Sequence, residues 1–220
     1  MEQERFVQTL TIAGSDSGGG AGIQADLKTF QMRGVFGTSA VTAVTAQNTL
    51  GVAAVHLVPT EVIRSQIEAV RDDFQISAFK LGMLGTAEII ECVAECLKEC
   101  SFGPMVLDPV MIAKGGAPLL HDSAVAAMKR HLLPLADVLT PNLPETQVLT
   151  GVDVENAQDA ERAARILQDA GVKTVVIKGG HSGGNARTGC SCPTGRNWSC
   201  RAAVIRRRIR TARAARFRPA

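Results

Sequence analysis

At 220 residues, with 45% hydrophobic residues and a formal net charge of +3, the chain suits a single α/β domain with a sizeable core. No apolar stretch approaches the roughly 20 residues of a membrane-spanning helix. The acidic opening, Met1-Glu-Gln-Glu-Arg5, lacks the apolar centre of a secretory signal, so a cytoplasmic location is expected.

The net charge hides a division. Residues 1–181 hold 14 Lys and Arg and all 21 Asp and Glu, whereas residues 182–220 hold 10 Arg, no Lys and no acid.

The apolar run Leu10–Ala13 predicts a strand. It is followed by the glycine-rich turn Gly14-Ser-Asp-Ser-Gly-Gly-Gly-Ala-Gly22 and by a helix starting near Gly22. Ile23, Leu27 and Phe30 share one face of that helix and can pack on a sheet. Asp26 lies near the helix start and can point back into the turn. Strand, glycine turn and helix form the geometry of a small-molecule pocket. The turn matches neither the dinucleotide G-x-G-x-x-G nor a Walker loop, and taken alone it equally fits a tight connection without a ligand.

Ser39–Ala46 reads as the next strand. Thr60 is placed to cap a helix whose apolar stripe is Ile63, Ile67, Val70 and Phe74. Ile76–Leu84 predicts a strand and Thr86–Cys100 a helix. That helix stacks Cys92, Cys96 and Cys100 on one face, where buried free cysteines act as small hydrophobes. Pro104–Met111 predicts a strand, Asp122–Leu133 a capped helix and Ala136–Leu139 a short strand. Asn156–Ala170 predicts a helix closed by Gly171, and Val175–Ile177 a final apolar strand. Repeated β-α units imply a mainly parallel sheet with helices on both faces.

In such folds functional groups gather at the C-terminal ends of strands. Gln47, Asp108, Asn142, Glu145 and Lys178 all fall at predicted strand ends. Singly, each also fits a cap or a turn. Jointly they offer carboxylates for Mg²⁺ and a lysine with backbone N–H groups for phosphate, the parts that phosphoryl transfer needs.

The segments Thr11–Asp26, Thr42–Thr49, Lys80–Leu84, Leu107–Met111, Thr140–Glu145 and Lys178–His181 together resemble the bacterial hydroxymethylpyrimidine/phosphomethylpyrimidine kinases of thiamine biosynthesis. The resemblance covers residues 8–181. It implies a three-layer α/β/α ribokinase-like fold with a mainly parallel sheet, incomplete at its C-terminal part. It also implies that Gln47 binds the aminopyrimidine, with Gly14, Asp26, Met83 and Val110 lining the same pocket. Asp108 and Glu145 would hold Mg²⁺, and Asn142 and Lys178 would contact ATP phosphates. The implied reaction passes the ATP γ-phosphoryl to 4-amino-5-hydroxymethyl-2-methylpyrimidine and then to its monophosphate. A related branch phosphorylates pyridoxal-type rings, and members of the family commonly form homodimers.

After His181 the likeness stops. The family's Gly-Thr-Gly-Cys motif, an anion hole at a helix N-terminus that carries the catalytic-position Cys, has no counterpart. Gly189-Cys190 lacks the preceding Gly-Thr, and no apolar helix follows. Residues 208–220 can be back-translated so that another reading frame spells Asn-Thr-His-Gly-Thr-Gly-Cys-Thr-Phe-Ser-Ala. Residues 182–220 are accordingly expected to be a frameshifted, poorly ordered tail. The chain is then an impaired kinase or a non-catalytic pyrimidine-binding remnant. A nucleic-acid arm at Arg206–Arg208 has no interleaved aromatics to support it. A zinc site at Cys190, Cys192 and Cys200 has only His181 as a fourth ligand.

Overall fold

The structure, a computed structural model, describes residues 6–111, 122–179, 187–191 and 198–201. Its strands are β1 (Gln8–Asp16), β2 (Phe36–Gln47), β3 (Val52–Leu57), β4 (Ile76–Leu81), β5 (Met105–Leu107), β6 (Val138–Leu139), β7 (Thr174–Lys178), β8 (Arg187–Ser191) and β9 (Trp198–Arg201). They form one sheet in the order β3-β2-β1-β4-β5-β6-β7-β8-β9. Every pair from β2 to β7 is parallel, and β3, β8 and β9 add antiparallel edges.

The helices are α1 (Gly22–Met32), α2 (Thr60–Asp73), α3 (Ala87–Lys98), α4 (Asp122–His131), α5 (Leu143–Thr150) and α6 (Ala157–Asp169). The result is a three-layer α/β/α fold around a mainly parallel sheet. The core packs β1, β4 and β5 against α2, α3 and α4 through Leu10, Ile12, Leu81 and Leu107, with Ile63, Ile67, Ile90 and Met128 facing them. Burial on both faces explains why these strands read as near-continuous apolar runs. On the opposite face of β1, Thr11 and Ala13 are fully buried.

The chain runs from β1 outward to β2 and then returns to the other side of β1 as β4. The carboxyl ends of β1 and β4 therefore flank a topological switch point, the crevice where open α/β sheets bind ligands.

Several expected boundaries move for local reasons. The N-cap of α2 is Pro59, with ψ 142° and no side-chain cap, so Thr60 is already inside the helix. Thr86 does cap α3, and Asn156 caps α6. β4 ends at Leu81, although Gly82 still donates to Ile12 and Gly14 to Met83. β5 ends at Leu107, two residues before Pro109, which has no N–H for a ladder. β3 and α5 were not expected. Pro144 in the first turn of α5 is compatible with a helix because its missing N–H would have had no intrahelical partner.

Residues 187–191 and 198–201 pair as β8 and β9 where no regular structure was expected. Strand pairing uses backbone groups, so an open β7 edge can recruit a hairpin of unpromising composition. The rest of the Arg-rich stretch, with Arg206–Arg208 and Cys192, lies outside the described residues. Cys92 and Cys96 are buried in the α3 face as free thiols, and Cys100 is half-buried. Burial, with Cys92 beside it, pushes the Cys96 thiol up to about 11, so it stays protonated and packs as a hydrophobe.

Candidate active site at the β1–β4 switch point

A cavity of about 320 Å³ opens at the switch point. β1 and the turn contribute Gly14 and Asp16, α1 contributes Gly22 and Asp26, and β2 contributes Thr45 and Gln47. Lys80 and Met83 come from β4 and its continuation, and Asp108 and Val110 follow β5. All five residues expected to line a pyrimidine pocket (Gly14, Asp26, Gln47, Met83 and Val110) thus share one cavity.

The glycine turn is closed by its own acid. Asp16 is 5% exposed and accepts from the backbone N–H groups of Gly18, Gly20 and Ala21 at 2.8, 2.9 and 2.8 Å. These donors are spent on an internal carboxylate, so the turn acts as a wall of the cavity and not as a phosphate cradle. Gln24 secures the turn from the helix side: its Oε1 accepts from Asp16 N–H at 2.8 Å, and its Nε2 donates to Ser15 Oγ at 2.7 Å. Gly22 has φ +56°, and a Cβ there would lie 2.3 Å from Gly14 O. Only glycine lets α1 start so close to β1.

Gly14 faces Met83, whose Sδ would be 3.4 Å from a Cβ at position 14. Thr42 and Gly14 both donate to Met83 O, at 2.7 and 3.1 Å. The Gln47 backbone is tied to Ser17 Oγ, while the Thr45 hydroxyl lies 3.2 Å from Gln47 Oε1. The Gln47 amide nitrogen has no partner among the described residues, so it is available as a donor.

The remaining candidates converge beside the cavity at three adjacent strand ends. Lys178 Nζ donates to Asp108 Oδ1 at 2.7 Å, and Thr140 Oγ1 donates to the same oxygen at 3.1 Å. Asn142 and Glu145 form a capping box at the start of α5. Asn142 Oδ1 accepts from Glu145 N–H at 2.8 Å, and Glu145 Oε2 accepts from Asn142 N–H at 2.8 Å. The amide oxygen of Asn142 is thus committed, leaving its NH₂ as the group that could meet a phosphate. Glu145 is 3% exposed. Burial raises its pKa, while the N–H of Asn142 and the charge of Lys178 oppose the rise.

Among the described residues no group of three or more His, Cys, Asp or Glu could hold a metal. Mg²⁺ uses one or two carboxylates and completes its shell with water and substrate phosphates, so the expected pair Asp108 and Glu145 would suffice in kind. Among the described residues the side-chain bonds of Asp108 both fall on Oδ1, which leaves Oδ2 as the oxygen that could act as a ligand.

Asp16, Gln24, Thr11, Lys80 and Thr140 were not singled out from sequence. Asp16 carried a usable signal: an Asp two residues before a glycine run forms Asx-type bonds to the turn. The others depend on register and helix placement.

The family described as Phosphomethylpyrimidine kinase matches residues 16–208. The hydroxymethylpyrimidine/phosphomethylpyrimidine kinase of Haemophilus influenzae is 66% identical over 175 residues, 80% of this chain and 65% of that protein. The chain thus spans just under two thirds of that relative. The crystal structure of the phosphomethylpyrimidine kinase from Clostridium difficile 630 matches with a TM-score of 0.83 and 44% identity, covering 89% of this chain and 84% of that one. The pyridoxal kinase from Staphylococcus aureus in complex with pyridoxal matches with a TM-score of 0.77 and 37% identity, covering 86% and 69%. With the family model matched across residues 16–208 and the fold shared with its solved members, this chain belongs to the phosphomethylpyrimidine kinase family.

Proposed function

We propose that the chain binds 4-amino-5-hydroxymethyl-2-methylpyrimidine in the switch-point cavity and descends from an enzyme that phosphorylates it, and then its monophosphate, with ATP in the cytoplasm. The observation that carries this reading is the meeting of Gly14, Asp26, Gln47, Met83 and Val110 in one cavity that Asp108 also lines. Gln47 presents an amide donor and acceptor to the ring edge, and Met83 and Val110 flank its faces. Lys178 and the Asn142 NH₂ meet the phosphate oxygens of ATP.

Asp108 and Glu145 would hold Mg²⁺, which supplies charge neutralisation on the phosphates. Thr140 keeps Asp108 oriented toward the same strand ends.

Turnover should be low, because the Gly-Thr-Gly-Cys anion hole has no counterpart in residues 182–220. Loss of a single oxyanion donor reduces rate by about 10² to 10³. Residues 187–191, which include Thr188-Gly189-Cys190, form a strand and not a helix N-terminus. The missing motif leaves a second reading: a pyrimidine-binding remnant whose gene is shifted out of frame after His181.

Calorimetry with the aminopyrimidine and with pyridoxal, alongside ATP consumption with Mg²⁺, tests both readings. Aminopyrimidine binding with slow phosphorylation supports the kinase, and binding without any product supports the remnant. Preferential binding of pyridoxal overturns the substrate. Sequencing the gene across codons 175–220 and beyond tests the frameshift, and an intact frame in independent isolates refutes it.

A further inference from the structure

Thr11 and Lys80 are register partners across β1 and β4, and α1 lays Asp26 over both. Lys80 Nζ donates to Asp26 Oδ1 at 3.0 Å and to Oδ2 at 2.9 Å, and Thr11 Oγ1 donates to Oδ2 at 2.7 Å. The Lys80 and Asp26 side chains are 21% and 16% exposed, and both line the cavity. Gly82 lies two residues further along the same face. A Cβ there would stand 2.9 Å from Ala13 Cβ and 3.2 Å from Lys80 Nζ, so the ammonium occupies space that a larger residue would crowd.

Desolvating an ion pair offsets much of its attraction, so a mostly buried pair adds little stability over an apolar one. This pair stands in the wall of the ligand cavity. An ionised carboxylate offers about four acceptor positions, and three hydrogen bonds from two donor groups, Lys80 Nζ and Thr11 Oγ1, fill three of them.

We infer that Lys80 is a positioning residue for ring recognition. It holds Asp26 as a fixed, ionised acceptor with one position left for an N–H or O–H donor of a neutral heteroaromatic ligand. Its charge cancels that of Asp26, so this wall gives a cationic ring no advantage. Thr11 sets the rotamer of the carboxylate. The inference rests on the cavity being the aminopyrimidine site.

The test is calorimetric titration of the full chain with 4-amino-5-hydroxymethyl-2-methylpyrimidine, using Lys80→Met, Lys80→Arg, Asp26→Asn and the double variant. Lys80→Met and Asp26→Asn should each weaken binding by about tenfold or more, as for a hydrogen bond to a charged group. Because Lys80 acts through Asp26, the double variant should bind no more weakly than Asp26→Asn alone. Lys80→Arg should recover part of the loss, and affinity for a non-hydrolysable ATP analogue should stay unchanged.

Unchanged pyrimidine affinity in Lys80→Met, or losses that multiply in the double variant, overturns the inference. If Lys80→Met fails to fold, the double variant, which buries no unpaired charge, carries the same comparison against Asp26→Asn. A wild-type chain that binds no aminopyrimidine overturns the functional reading and this inference together. Wild-type binding with an indifferent Lys80→Met overturns this inference alone.

Discussion

Lys178 Nζ and Asp108 Oδ1 lie 2.7 Å apart, joining the end of β7 to the end of β5 across the intervening β6. Thr140, just after β6, donates to the same oxygen. Three neighbouring strand ends are thereby gathered on one carboxylate, beside a cavity that Asp108 also lines. The lysine occupies one oxygen and leaves the other, so a cation and a phosphate can be held side by side without rebuilding the backbone.

Removing either partner should affect the nucleotide and spare the pyrimidine. Lys178→Met is expected to weaken binding of a non-hydrolysable ATP analogue by about tenfold, the scale of one charge-assisted hydrogen bond. Asp108→Asn should make nucleotide affinity indifferent to Mg²⁺, so that adding EDTA changes nothing. Titration calorimetry with and without Mg²⁺ reads both. If Asp108→Asn keeps the wild-type response to Mg²⁺, Asp108 is not a metal residue.

The turn around Asp16 depends on a carboxylate. Its two oxygens serve three backbone N–H groups, a load that one amide oxygen cannot carry. Asp16→Asn should destabilise the fold by about 2 kcal/mol, since hydrogen bonds to a charged group are lost within a buried turn. For a chain of this size that lowers Tm by roughly 4–8 °C. Thermal unfolding followed by circular dichroism reads the shift, and an unchanged Tm would show that water replaces the carboxylate.

Legibility in the sequence follows the range of the interactions. The strands of the parallel core were readable because burial on both faces demands apolar runs, as in Leu10–Ala13 and Val175–Ile177. The strand-end residues were readable because the fold class places function there. β3 was not: Ala53, Ala54 and His56 break the apolar alternation, and the strand is mostly exposed. α5 was hidden by Pro141 and Pro144, which look like a loop until the Asn142–Glu145 capping box is seen. The Lys80–Asp26 pair was beyond reach, because it exists only once register sets Thr11 beside Lys80 and α1 lies over both.

Gly22 tests whether the approach of α1 to β1 shapes the cavity. Alanine there must adopt φ +56° and place a Cβ 2.3 Å from Gly14 O, a backbone atom that cannot rotate away. The left-handed conformation alone costs on the order of 1–3 kcal/mol, and the contact adds to it. Gly22→Ala should therefore lose more than about 2 kcal/mol in urea denaturation, together with measurable pyrimidine affinity. Gly34→Ala is the control, because it shares a positive φ and has nothing within 4 Å of its added Cβ. Equal losses in the two variants would mean that conformation, and not the contact with β1, sets the effect.

Glu145 gives a pH-dependent prediction whose sign follows from its surroundings. Burial raises its native pKa, so between its ordinary unfolded value and the raised native value the folded chain holds a proton that the unfolded chain releases. Stability from this group is therefore fully present below the unfolded pKa and is lost as pH rises through the native one. Glu145→Gln keeps the size of the side chain and the acceptor for Asn142 N–H, as glutamine does at the third position of a capping box. The variant should match the wild type in urea titrations near pH 4 and be equally or more stable at pH 7–8. Metal-assisted nucleotide binding should fall in the same protein, separating the ligand role of the carboxylate from its structural one. A variant that loses stability at pH 8 would show that the ionised carboxylate is favourable where it stands, with the attraction of Lys178 and the N–H bonds outweighing desolvation.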